Sequence, residues 1–404
     1  MKILVVSENF YPDIFAINDI VRILVQRGHK VTVLTGLPDY TTTEIPKEFK
    51  HGKKRHEKYE GAEVFRIPTI ARRHGPVWRS LNYLSFVHNG KKFIKSQKLD
   101  FDVIYVWEVS PVTMTIPAIK AKEKYRKPLF LYCLDIWPEC IKAMGFKEGS
   151  FFYNIIKDWS GKIYRSCDHI AVTSKPFFTY LAKVDGVSRK KMSYLPQFAS
   201  SEMLGMDFEK EKNGHWDFLY IGNIGNAQDM PCMIKAIAKL KEKKDITFHI
   251  IGGGTAFEAT KRLAKETGAE KIIAFYGPKP FKEAMQYYKK ADACIMTLDG
   301  SNYIGDTLPG KLQTYMAAGK PVIGAINGAG QEVIKESGCG LCVNAGNSEG
   351  LGKAFAEFIE NNEKYKDCGR KSREYFKEHF TEEKHFEELE KQLNELAGRS
   401  HVSI

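Results

Sequence analysis

Residues 217–225 read DFLYIGNIG, an unbroken apolar run entering two glycines. A short run of this kind is a strand buried on both faces, and the glycines let the backbone that follows approach a ligand. The amphipathic helix MPCMIKAIAKLKEK (230–243) comes next, and then ITFHIIGGG (246–254), a second strand with a second glycine turn. KIIAFYGP (271–278), ACIMTLD (293–299), KPVIGAI (320–326) and GLCV (340–343) continue the pattern. Such alternation predicts a parallel sheet covered by helices on both faces.

The first half follows the same scheme. KILVVSE (2–8), KVTVLTG (30–36), AEVFRIP (62–68), FDVIYVW (101–107), PLFLYCLD (128–135) and HIAVTS (169–174) read as strands. INDIVRILVQRGH, MTIPAIKAKEKYR and FFYNIIKDWSGKIYRSC read as the helices between them. A polar stretch, 196–216, separates the halves, and the tail EEKHFEELEKQLNEL is a charged helix with an apolar seam. The fold class is α/β, with two doubly wound Rossmann-like domains: residues 1–200, then 201–374, with a terminal helix at 375–404. Ligands of such sheets bind beyond the carboxyl ends of the strands, so the cleft between the halves is the expected site.

At 43% hydrophobic and 27% charged, the chain has the composition of a soluble globular protein, and 404 residues suit two domains or three. It contains no run of the ~20 apolar residues that a bilayer crossing needs. The start turns polar within a few residues, which reads as a first strand rather than a secretory signal. Eight scattered cysteines, with CGLC (339–342) lacking further ligands at metal-site spacing, fit reduced thiols in a cytoplasm.

The formal charge is +12. Residues 41–100 hold fourteen Lys/Arg against six Asp/Glu. In IARRHGPVWRSLNYLSF (70–86), Arg72, Arg73 and Arg79 alternate with Trp78, Tyr83 and Phe86. Three readings stand open: a solvated face, an anionic membrane interface, or a nucleic-acid surface. No nucleic-acid motif accompanies the last.

The chemistry concentrates in the second half. Gly222, Asn223, Gly225 and Gln228 form one turn, Gly252, Gly253 and Gly254 a second, Gly277 and Pro278 a third. The dinucleotide fingerprint is incomplete, so a nicotinamide enzyme is disfavoured. Thr307, Leu308, Pro309, Gly310 and Lys311 open a helix, placing free N–H groups beside a full positive charge. That pairing suits a diphosphate, and the reading is a sugar nucleotide held at 307–311.

With these motifs in hand, the chain resembles the family 4 glycosyltransferases of the GT-B fold, in the bacterial surface-polysaccharide branch that includes aminosugar transferases. The resemblance spans nearly the whole chain, through MKILVVSENFYPD, RGHKVTVLTGLPDY, SPVT, DIWPE, YLPQF, GNIGNAQ, TLPGKLQTYMAAGKPVIGAINGAG and HFTEEKHFEELEKQL. It implies donor binding in the second half, acceptor binding in the first, and a final helix that crosses back. It also implies a retaining transfer, and the helix start with Lys311 can stabilise the leaving diphosphate without a metal. The donor would be a UDP-sugar, of N-acetylated hexosamine type, and the acceptor a saccharide on undecaprenyl diphosphate. The enzyme would then lie on the inner face of the membrane, making capsule, exopolysaccharide or O-antigen.

The chain also departs from the family pattern. Two glutamates with seven residues between them are common in the donor loop, and the matching positions are Asp306 and Thr314. The arginine and lysine that flank donor phosphates correspond to Asn223 and Gln228. The double glycine after the first strand is replaced around Phe15 and Ala16. Lys311 is then the main cationic phosphate ligand.

On the acceptor side, Asp135 and Glu139 stand four apart in DIWPE and would share a face of a helical turn. Two carboxylates there could orient sugar hydroxyls or steer a proton. Glu108 and Ser110 are secondary candidates, and His29 reads as structural. The acids of DFD (100–102) lie at the wrong end of the sheet to hold a metal. Arg72, Arg73, Trp78 and Arg79 are candidates for docking on the membrane. Two other functions remain compatible with the residues: a sugar-nucleotide epimerase, and an inactive sugar-nucleotide-binding protein.

Overall fold

The computed structural model describes residues 1–404 except 41–42, 143–145, 212, 301–306 and 403–404, and except the side chains of 399–402. The chain divides into two compact units. The first holds Met1–Thr173, Phe177–Leu195 and Leu389–Ile404, and the second holds Ser174–Pro176 and Pro196–Glu388.

In the first unit the elements run β1 (Lys2–Val6), α1 (Ala16–Gln26), β2 (Lys30–Thr35), β3 (His56–Tyr59), β4 (Ala62–Arg66), α2 (Pro76–Ser96), β5 (Val103–Glu108) and α3 (Ile116–Tyr125). They continue through β6 (Leu129–Cys133), α4 (Glu139–Lys142), α5 (Phe151–Ser166), β7 (His169–Val172), α6 (Lys175–Lys183) and β8 (Met192–Tyr194). Strand order is β3-β4-β2-β1-β5-β6-β7-β8, parallel except for the β3–β4 hairpin. Val6 registers with both Leu34 and Val106, so the central strands end at one edge. β5 and β6 are wholly buried, which is why their sequences read as continuous apolar runs.

The hairpin and α2 occupy the basic segment, where the sequence predicted only the strand at 62–68. α2 buries Asn82, Phe86, Gly90 and Ile94 while exposing Val77, Trp78, Leu81 and Leu84. With apolar residues on both faces, it carries no single stripe for periodicity to detect.

The second unit runs β9 (Trp216–Ile221), α7 (Met230–Ala238), β10 (Ile246–Ile251), α8 (Phe257–Thr267), β11 (Ile273–Gly277), α9 (Phe281–Lys290) and β12 (Ala293–Thr297). α10 (Gly310–Ala317), β13 (Val322–Ala325), α11 (Gly328–Ser337), β14 (Gly340–Val343), α12 (Ser348–Glu360), α13 (Asn362–Tyr365) and α14 (Cys368–His379) follow. All strands are parallel, in the order β11-β10-β9-β12-β13-β14. Phe218 of β9, Phe248 of β10 and Phe355 of α12 form the aromatic centre of its core, with centroids 5.0–5.3 Å apart.

The last helix, α15 (Glu382–Val402), starts in the second unit and from Leu389 onward belongs to the first. There Glu390 pairs with Arg27 at 2.9 Å and His29 at 2.8 Å, and Gln392 accepts from Ser193 at 2.7 Å. His29 is thus a framework residue. No helix among the described residues is long and apolar enough to cross a membrane.

Candidate functional site

In the second unit the three glycine turns are hydrogen-bonded into one surface. The Gly222 N–H donates to Ile251 O, Gly252 N–H to Gly277 O, and Ile224 N–H to Gly253 O, each at 2.9 Å. Gly222, Gly252 and Gly254 have φ of 140°, 138° and 147°, a region that side chains rarely adopt. A Cβ on Gly252 would strike the Gly222 carbonyl, so backbone is the only material that fits. Pro278 closes against Gly253, with its Cγ 3.1 Å from where a Cβ would stand.

α10 is anchored beside this surface. The Tyr315 hydroxyl accepts from Ile221 N–H at 3.2 Å, tying the helix to the end of β9. Gln313 donates to the Gln197 carbonyl. Pro309 precedes the helix, and among the described residues no side chain caps its first N–H groups. Lys311 extends along Gly222, its Cε 2.9 Å from an ideal Cβ there. Its ammonium donates to the Tyr220 hydroxyl at 2.6 Å, and Tyr220 donates to Asn223 O at 2.5 Å. Among the described residues no carboxylate pairs with Lys311, and burial pulls it down to about 8. Tyr220 is a site residue the sequence reading passed over; only its place one step before the turn marked it.

The other predicted donor residues fall into groups. Gln228 Oε1 accepts from both Asn223 Nδ2 (3.2 Å) and the Gly225 N–H (3.0 Å), so the two amides brace the turn. Leu308 packs into the core beneath α10, and Gly310 is exposed. Thr314 donates to the Gly310 carbonyl at 3.2 Å, satisfying its hydroxyl within its own helix. Thr307 and Pro309 are half-buried at the helix start. Asp306 lies outside the described residues.

In the first unit, acids gather at the carboxyl ends of the central strands. The Ser110 hydroxyl donates to Asp135 Oδ2 at 3.1 Å and accepts from Trp137 Nε1 at 3.0 Å. Burial raises Asp135 above its ordinary value, and the Ser110 hydroxyl offsets part of that. Glu108 is fully buried and pushed well up, first by burial and then by the nearby Asp135 charge.

The helical pairing of Asp135 with Glu139 is corrected. α4 begins only at Glu139, because Pro138 disfavours a helical conformation at Trp137. Glu139 accepts from Tyr153 at 2.7 Å and Tyr180 at 2.8 Å and pairs with Lys142 at 2.6 Å. Burial alone would raise it, but these partners outweigh burial and hold it below its usual value. Its carboxylate ties α4 to α5 and α6.

Two further acids were not weighed from sequence. Glu8, beyond β1, is buried, with neither oxygen hydrogen-bonded among the described residues. Burial, then the Asp39 charge, push it up to about 8. Asp39, beyond β2, accepts from the Arg72 N–H and Asn82 Nδ2, both at 2.9 Å, and burial raises it to about 6. Each is a single acid a few residues beyond a strand end, and the sequence holds no sharper signal for either. The basic segment divides accordingly. Arg72 is half-buried, 4.4 Å from the Tyr40 ring centre, with its charge set against Glu8 and Asp39. Arg73 lies 4.6 Å over Trp78, and Arg73 and Arg79 are exposed.

Two family models match the chain: Glycosyltransferase Family 4 over residues 16–200, and Glycosyl transferases group 1 over 206–375. An uncharacterised glycosyltransferase of Methanocaldococcus jannaschii is 24% identical over 76% of this chain and 79% of its own. WcaI of Escherichia coli, named for colanic acid biosynthesis as a glycosyl transferase, is 21% identical over 87% of this chain and 90% of its own. Among solved structures, HepE of Anabaena in complex with UDP superposes with a TM-score of 0.70 at 14% identity, covering 98% of this chain and 100% of that one. Sequence matches on both halves, and the doubly wound architecture shared with these structures, agree: the chain belongs to the family 4 glycosyltransferases of the GT-B fold.

Proposed function

We propose that this glycosyltransferase takes a sugar from a UDP-sugar and passes it, with retention at the anomeric carbon, to a lipid-linked saccharide in surface-polysaccharide synthesis. One observation carries the donor half: a floor of backbone beside an uncapped helix start, with Lys311 alongside. Helix N–H groups and a single ammonium stabilise a diphosphate as it leaves, without requiring a metal. The UDP-bound HepE structure, of the same fold, supports uracil as the base.

Asp135, oriented by Ser110, is the acceptor-side candidate for binding a sugar hydroxyl. In a front-face transfer a donor phosphate oxygen takes the proton of the attacking hydroxyl, so no nucleophile from the chain is needed. WcaI supports the polysaccharide setting, and a sugar of the N-acetylated hexosamine type on an undecaprenyl-diphosphate-linked acceptor is part of the same reading. The enzyme would work in the cytoplasm against the inner membrane surface.

Incubation with a panel of UDP-sugars, with and without lipid-linked acceptor, tests this directly. Glycosylated lipid supports the reading. Free epimerised nucleotide, or binding without turnover, overturns it.

A further inference from the structure

Among the described residues seventeen large apolar side chains stand exposed, and fourteen of them belong to the first unit. The two units are similar in length, so the imbalance is not one of size. Most of the fourteen fall into two groups. One is Val77, Trp78, Leu81 and Leu84 on α2; the other is Phe151, Phe152, Ile155 and Trp159 on α5. Phe151, Ile155 and Trp159 are spaced four apart, with Phe152 beside them, so they form one stripe along two turns. Phe151 is 74% exposed, Phe152 63% and Trp159 51%, while Tyr153, Ser160, Ile163 and Tyr164 take the inward face.

These groups share a place in the fold. α3 packs against both α2 and α5, which sets the three helices on one side of the sheet. Both apolar groups begin at the first turn of their helices. Those turns follow β4 and β6, parallel strands whose carboxyl ends lie at the edge where Asp39 and Asp135 gather. Arg73 and Arg79 are exposed at α2, and around α5 Lys147 and Lys162 are exposed and Lys157 half-buried, beside the exposed acids Glu148 and Asp158. Exposed aromatic and aliphatic groups rimmed by cations match a bilayer interface with anionic headgroups, where rings sit at the acyl boundary and cations at the phosphates.

We infer that the α5 stripe, with the start of α2, is a surface on which the first unit enters an anionic bilayer. This rests on the lipid-linked-acceptor reading and deepens it by naming the inserted residues.

The test uses vesicles of equimolar phosphatidylglycerol and phosphatidylcholine. Co-sedimentation of the full chain is compared with that of a Phe152→Ser/Trp159→Ser variant. A Tyr276→Ser/Phe281→Ser variant removes two exposed aromatic rings of the second unit, 36% and 46% exposed, as a control. Partitioning should fall roughly tenfold or more in the first variant and stay at the parental level in the control. Brominated acyl chains should quench tryptophan emission in the parent, and less in Trp159→Phe. Equal partitioning of all three proteins, or quenching unchanged in Trp159→Phe, overturns the inference. A parent that self-associates without vesicles, while the α5 variant is monomeric, overturns it in favour of a second copy of the chain. If the parent partitions through α5 yet glycosylates no lipid-linked saccharide, the functional reading fails and the membrane surface stands.

Discussion

Lys311 donates to the Tyr220 hydroxyl at 2.6 Å, and its ammonium sits 4.1 Å from the centre of the same ring. A buried cation beside a phenol, with no described acid to neutralise it, is a costly arrangement in the free protein. An anionic ligand would relieve that cost.

Lys311→Ala should therefore weaken UDP-sugar binding and slow transfer. Losing one charge-assisted contact of roughly 1.5–3 kcal/mol corresponds to about tenfold to a hundredfold. Calorimetric titration with UDP, alongside initial rates, measures both. A folded variant with parental affinity removes Lys311 from the site.

Donor affinity should depend on pH with a defined sign. Burial holds Lys311 at about 8, so the free protein loses this charge as pH rises through 8. Affinity for UDP should fall from pH 7 to pH 9, and binding near pH 8 should take up a proton. Titrations in buffers of different ionisation enthalpy read that proton. Lys311→Arg, charged throughout, should flatten the profile.

EDTA should leave transfer largely intact, because the start of α10 and Lys311 meet the phosphate charge. Activity abolished by chelation and restored by manganese would show that the phosphate site works differently.

Glu8 gives a stability prediction. It keeps its proton to about pH 8 in the folded chain, against an ordinary value of 4.5. Between those values the folded state binds more protons than the unfolded one, so the Glu8 contribution to stability falls as pH rises. Glu8→Gln should melt at the parental temperature at pH 4 and higher than the parent at pH 9, by at least roughly 2–4 °C. Differential scanning calorimetry at both pH values decides it. A lower melting temperature at pH 9 would mean that the charged form has a partner.

Arg73→Ser/Arg79→Ser should reduce co-sedimentation with anionic vesicles, since each basic residue near such a surface contributes about 1 kcal/mol. Added salt should erase the difference by screening. Arg72 is left out because it faces Glu8 and Asp39, and losing it would disturb the fold. Binding by the double variant equal to the parent at low salt marks the segment as an ordinary solvated face.

The buried parallel strands were legible because both of their faces are apolar, and the glycine turns because only glycine fits there. α10 and Lys311 were legible for the same kind of reason: a breaker, a cation and small residues in fixed order. Asp135 and Glu139 show the limit. Spacing alone placed them on one helix face, and a proline between them decided otherwise. α5 shows another. Tyr153 and Ile163 inside, and Phe152 and Trp159 outside, are alike in sequence; packing alone distinguishes them. Glu8 and Asp39 were single acids in polar loops, and their importance comes from neighbours that only the fold supplies.

The first unit is not made of one continuous stretch of chain. Arg27, His29 and Ser193 find partners on residues 390 and 392, and Leu389 and Leu393 are fully buried. During synthesis the first sheet leaves the ribosome before nearly all of the second unit, yet its last layer comes from residues beyond 388. The nascent first unit therefore waits, with part of its apolar surface uncovered, for some two hundred residues of translation. A chain stopped at residue 388 would carry the whole second unit and an unfinished first one.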